Sequence, residues 1–94
     1  MSADAAAGDP SPEEDEAIAG AILALLAARA PSASICPSDV ARAMVADEKA
    51  WRAKMPDVRR VAAQLATQGR VKVTRGKVEV DALSRGGPIR IRRP

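Results

Sequence analysis

An α+β fold, mainly α, is predicted by three features of the sequence. Apolar residues recur at helical spacing through the first two thirds of the chain, valine and isoleucine alternate with charged residues in the last third, and Gly69 stands where one pattern gives way to the other. The chain has 94 residues, enough for one domain with a modest core. Of the 47% hydrophobic residues a large part is alanine, so that core must be built mainly from Ile, Leu and Val. The expected organisation is a tail over residues 1–10 and one domain over 11–94.

The opening "MSADAAAGDP" is small, polar and rich in alanine, and is expected to be disordered because it cannot bury enough surface to order itself. "SPEE" then signals a helix start, with Ser11 as N-cap, Pro12 at the first helical position and Glu14 three residues after the cap. Glu13, Asp15 and Glu16 add negative charge where the helix dipole favours it. Ile18, Ile22, Leu25 and Leu26 form an apolar stripe, and "APSAS" ends it, so the first helix is expected from Pro12 to about Arg29. Ile35 and Cys36 precede Pro37 and should be extended, because a residue before proline avoids the helical region.

A second helix opening at Pro37 or Ser38 places Val40, Ala41, Met44 and Val45 on one side. The ten residues from Ala46 to Met55 are expected to hold a further helical turn or two, with Trp51 anchored in the core and Pro56 as a break. A third main helix is expected from Pro56 to Gln68, where Val58, Val61, Ala62 and Leu65 form the buried stripe and Gly69 supplies the left-handed end. The opposite side collects Pro56, Arg60, Ala63, Gln64 and Thr67, with Arg59 on a flank.

"RVKVTRGKVEVD" reads as a hairpin. A two-residue turn at Arg75-Gly76 would set Val73 opposite Val78 and Val71 opposite Val80, with Lys72 facing Glu79 and Arg70 facing Asp81. "ALSRGG" is a loop, and "PIRIRR" alternates Ile89 and Ile91 with Arg90 and Arg92 as a third strand. Helix, short extended piece, two helices and a small antiparallel sheet is the element order of a winged helix-turn-helix, with Arg70 to Arg92 as the wing.

The runs "ICPSDVARAM" and "MPDVRRVAAQLATQGRV", the tryptophan between them, and the closing "GGPIRIRR" resemble a small bacterial family known as domain of unknown function 3253. The resemblance covers about Ala17 to Arg92. It implies a winged-helix-like fold and no established biochemical activity.

Charge is distributed unevenly. Residues 1–16 hold six acids and no bases, whereas residues 52–94 hold twelve bases and three acids. Such a C-terminal half suits a polyanion partner, and equally a well-solvated basic surface. With no histidine and one cysteine, the sequence offers no metal-ligand cluster, no Ser-His or Cys-His pair, and no glycine-rich phosphate loop. A non-enzymatic protein without metal or cofactor is expected. No apolar run of membrane-spanning length and no secretory signal is visible, which makes cytoplasmic the expected location. Cys36 is expected to be a small buried hydrophobe, since no second cysteine can resolve an oxidised form.

Two partner classes stay open. In the first, double-stranded DNA meets the third helix, with Arg60, Gln64 and Thr67 near base edges and Arg52, Lys54, Arg59, Lys72, Arg75 and Lys77 on phosphates. Three features oppose it: Asp57 near the expected helix start, the long stretch between the second and third helices, and the charge pairs across the hairpin. In the second, the same fold serves as a protein-interaction module or self-associates, through exposed Val78 or Leu83 or an unpaired strand edge at Pro88 to Arg92. Single-stranded RNA is disfavoured by the absence of Phe and Tyr.

Overall fold

The computed structural model describes residues 12–94, so the expected tail and the Ser11 cap lie outside the described residues. Helix α1 (Pro12–Ala27) buries Ile18, Ile22 and Leu26 and carries Glu13, Glu14 and Asp15 in its first turn. It stops two residues before Arg29, and its last turn contains no base. The missing partner comes from the far end of the chain: the Arg93 guanidinium donates to the carbonyls of Leu26 at 2.9 Å and Arg29 at 3.1 Å. The Leu26 carbonyl also accepts from the Arg29 N–H at 3.2 Å, so Arg93 adds a second donor there and supplies one to the Arg29 carbonyl just past the helix end.

The expected extended piece is strand β1 (Ser34–Ile35), and helix α2 follows over Pro37–Met44. Asp39 closes its start by accepting from the Cys36 backbone N–H at 3.0 Å. Burial works to raise the Asp39 pKa, but that hydrogen bond, a further one from the Cys36 side chain and the charges of Arg29 and Arg90 hold it below the usual carboxylate value. Cys36 is half-buried rather than buried, with Sγ 3.1 Å from Ser38 Oγ.

Helix α3 runs unbroken over Glu48–Thr67, with Pro56 inside it. The expected start at Pro56 is therefore too late by eight residues. Asp47 provides the true N-cap, accepting from the Ala50 N–H at 3.0 Å. An interior proline costs about 3 kcal/mol by removing one backbone hydrogen bond and crowding the preceding turn. Here Pro56 and Arg52, whose carbonyl loses its partner, are both exposed, so water can replace the lost donor. The continuous helix meanwhile keeps Val58, Val61, Ala62 and Leu65 in the core with Trp51 and Met55 packed at its margin.

This extension shortens the link between α2 and α3 to Val45, Ala46 and Asp47. A three-residue turn is what a compact helix-turn-helix uses, which removes the long stretch as an objection. Asp57 likewise lies mid-helix and not at the start. Trp51 is half-buried rather than central, lying between two guanidinium groups, with the Arg42 and Arg52 carbons 4.7 and 4.9 Å from the ring centroid.

The end of α3 agrees with the expectation. Gly69 adopts φ +75°, and N–H groups of Gly69 and Arg70 bond to the carbonyls of Ala66 and Leu65 at 3.0 and 2.9 Å. These two bonds form a Schellman closure. The chain then enters β2 (Lys72–Arg75), β3 (Val78–Glu79) and β4 (Arg90–Arg92), which with β1 make an antiparallel sheet in the order β1-β4-β2-β3.

Two expectations about this sheet are corrected. The hairpin pairs Arg75 with Val78 and Thr74 with Glu79, so the turn is Gly76-Lys77 rather than Arg75-Gly76. A two-residue hairpin loop needs positive φ at its first position, and Gly76, at φ +63°, takes it without steric cost. Val73 then meets Val80, while Val78 projects past the core and is 64% exposed. The expected Lys72–Glu79 and Arg70–Asp81 pairs are not formed. Secondly, β4 is no edge: it pairs with β1 on one side and β2 on the other. Its Ile89 and Ile91 are buried as expected, closing the core against the helices. No described helix is long and apolar enough to cross a membrane.

Candidate nucleic-acid interface

Residues directly opposite each other in a sheet share a face. The registers Ser34 with Arg92, Lys72 with Arg92, Thr74 with Arg90 and Thr74 with Glu79 therefore place Lys72, Arg90, Arg92 and Glu79 together on the outer side, away from Val73 and Ile91. Lys77 joins them at the hairpin tip. Thr74, only 8% exposed, lies among them. A groove of about 360 Å³ crosses this face, lined among others by Lys72, Thr74, Lys77, Glu79 and Arg92. Four bases thus face one acid, and among the described residues none of the four is in an ion pair.

The two arginines of β4 are held in place by neutral acceptors. Arg90 donates to the Ser34 hydroxyl at 2.9 Å and to its carbonyl at 3.1 Å, and Arg92 reaches the Ser32 carbonyl at 3.4 Å. Bonds of this type fix direction without cancelling charge, although the Asp39 carboxylate on α2 also feels the Arg90 charge. The sequence pattern carried the signal, since the alternation in "PIRIRR" puts both arginines on one side. Their membership of a basic face depends on β4 lying beside β2, which local pattern does not reveal.

The third helix presents a different field. Arg60 donates to both carboxylate oxygens of Asp15 at 2.8 Å and to Asp57 at 3.3 Å. The hydrogen bond from Arg60 holds the Asp15 carboxyl below its usual pKa against the opposing effect of burial, and the reciprocal bond raises that of Arg60. Lys54 binds Glu14 at 2.6 Å. Arg52 pairs with Glu48 at 2.9 Å, one turn earlier on the same helix. The first turn of α1 therefore answers the cations of α3, and Arg60 is turned toward α1 rather than outward.

Gln64 and Thr67 are exposed, but the Thr67 hydroxyl donates to the Ala63 carbonyl at 3.0 Å. Arg75 is tied down within the wing, donating to the Ser84 hydroxyl and to the carbonyls of Ser84 and Gly87 at 3.1 to 3.4 Å. Gly86 beside this guanidinium takes φ +126°, a backbone conformation that residues with a side chain rarely adopt. Of the nine residues expected to touch DNA, Lys72 and Lys77 lie on the basic sheet face. Arg52, Lys54 and Arg60 are ion-paired, and Arg75 is a loop anchor.

Arg59 differs from all of these. It lines a cleft of about 440 Å³ with Arg52, Met55, Pro56 and Leu83, between α3 and the turn that follows β3. Leu83 is 59% exposed. The Arg59 Nε is buried without a hydrogen-bond partner.

The family model described as "Protein of unknown function (DUF3253)" matches residues 15–94, which include every described strand and all but the first three residues of α1. The chain belongs to that family. No curated protein matches it.

Proposed function

We propose that this protein binds double-stranded DNA, with the outer face of the sheet as its main contact surface. The observation that carries this reading is the placement of Lys72, Lys77, Arg90 and Arg92 on one face, with Glu79 the one acid beside them among the described strand residues. Such a face suits phosphates, which accept from any properly placed cation and carry no sequence information. A duplex fits it better than a single strand, because the strands hold no aromatic side chain on which bases could stack. The three-residue link between α2 and α3 supports the same class of partner, with exposed Gln64 at the far end of α3 as the group most open to a base edge.

Binding through about four phosphate contacts would fall by about two orders of magnitude between about 50 and 200 mM salt. The test is a titration of isotopically labelled full-length protein with a mixed-sequence duplex at those two salt concentrations. Amide shifts at Lys72, Lys77, Arg90 and Arg92 that vanish at the higher salt support the reading. Absence of localised shifts at both concentrations rejects it.

A further inference from the structure

We infer that the cleft between α3 and the turn at Leu83 is a docking site for a partner protein's short segment in which a carboxylate stands beside a large apolar side chain. The inference is independent of DNA binding and rests on an imbalance in the cleft itself. Arg59 is half-buried, its Nε is shut off from solvent, and among the described residues it has neither an ion pair nor a hydrogen bond. A buried donor left unmade is destabilising, and a native chain normally satisfies it. Every other side-chain nitrogen or oxygen buried to that degree among the described residues has a partner.

The walls specify the rest of the ligand. Met55, Pro56 and Leu83 are apolar, and Leu83 is one of two large hydrophobic side chains standing exposed among the described residues. Arg52 borders the cleft, but Glu48 pairs with it and Trp51 lies under it. One uncompensated guanidinium therefore remains, matched to one carboxylate by charge. A phosphate backbone fits poorly here, because it brings dense charge and hydrated sugar against an apolar wall. The cleft is open along the surface, which suits the side chains of a passing peptide rather than an enclosed small molecule.

A site of this kind predicts opposite signs for stability and binding. Removing the unpaired charge with Arg59→Met should raise the melting temperature of the free protein, since an apolar side chain of similar length relieves the unmet donor. The same substitution should weaken docking.

The probe is an N-acetylated tetrapeptide amide of alternating leucine and aspartate, titrated to millimolar concentration into the labelled full-length protein. The expected result is saturating shifts at the Arg59 Nε–Hε and the Leu83 amide, absent with the asparagine counterpart and weakened about tenfold in Arg59→Met. Leu83→Ser, on the exposed rim, should weaken binding while leaving the fold intact, and serves if Arg59→Met does not fold. Equal shifts with both peptides, or none with either, overturn the inference. So does a lower melting temperature for a folded Arg59→Met, or a duplex that shifts these two signals where the peptide does not.

Discussion

Helix α3 carries five basic residues, Lys49, Arg52, Lys54, Arg59 and Arg60, and the outer side of the sheet carries four, Lys72, Lys77, Arg90 and Arg92. On α3, three of the five are held by carboxylates, two of them by Glu14 and Asp15 some forty residues earlier. On the sheet, Glu79 is the one acid on the face among the described strand residues, and the arginines are held by serine oxygens. The comparison teaches that a region's field is set by where the opposing carboxylates pack. Counting bases along the chain would rank the helix above the sheet.

The strongest way to break this comparison is to remove the sheet's cations together. Replacing Lys72, Lys77, Arg90 and Arg92 by glutamine should lower duplex affinity by about a hundredfold or more at low salt and flatten its salt dependence, read by fluorescence anisotropy. Replacing Arg52, Lys54 and Arg60 in the same way should leave most of the affinity in place. If the second set costs more than the first, the assignment of the faces is reversed.

Arg60→Ala sharpens the contrast from the side of stability. It leaves the half-buried Asp15 without its bidentate partner, which should cost about 1 kcal/mol in urea denaturation. Duplex affinity should change by less than about twofold, because the Arg60 guanidinium is already engaged inside the molecule.

A smaller effect separates the same pair by pH. The Arg60 hydrogen bond depresses the Asp15 pKa, so the folded state holds that proton less readily than the unfolded chain. The stabilisation is therefore complete above the ordinary carboxylate range, about pH 4, and is lost as pH falls through the depressed value. Thermal melts between neutral pH and pH 3 should fall less steeply for Asp15→Asn than for the parent, starting from a lower neutral value. The smallest change is expected of Lys77→Ala, a loss of about a few-fold on every duplex sequence alike. A loss confined to one sequence would mean that the hairpin tip reads bases.

Much of the fold was legible because its signals are local. The Ile18, Ile22 and Leu26 stripe, the Val58 to Leu65 stripe, Gly69 and the alternation around Ile89 and Ile91 each act within a few residues, and each is found where the pattern placed it. Pro56 was misread because a helix-breaking tendency of a few kcal/mol yields to burial on both sides of it, a balance that no local window contains. The hairpin register was misread by placing Arg75 in the turn, although Gly76 is the residue able to take positive φ first. The candidate site was the least legible part. That Arg60 faces Asp15, and that β4 pairs with β1, are pairings across 45 residues or more. Residue type foretells neither, because any of several acids could have met Arg60.

The bond from Arg93 to the end of α1 has a consequence for how the chain is made. As synthesis proceeds, α1, α2 and α3 emerge first, and all three can begin to pack. The Arg29 carbonyl waits for its donor, and β1 waits for β4, until residues 90–93 leave the ribosome. Low-order helical contacts form quickly, whereas contacts spanning about two thirds of the chain must come late. A chain shortened to residue 85 should therefore hold a helical body that proteases still open at residues 27–36, and restoring residues 86–94 should close that gap.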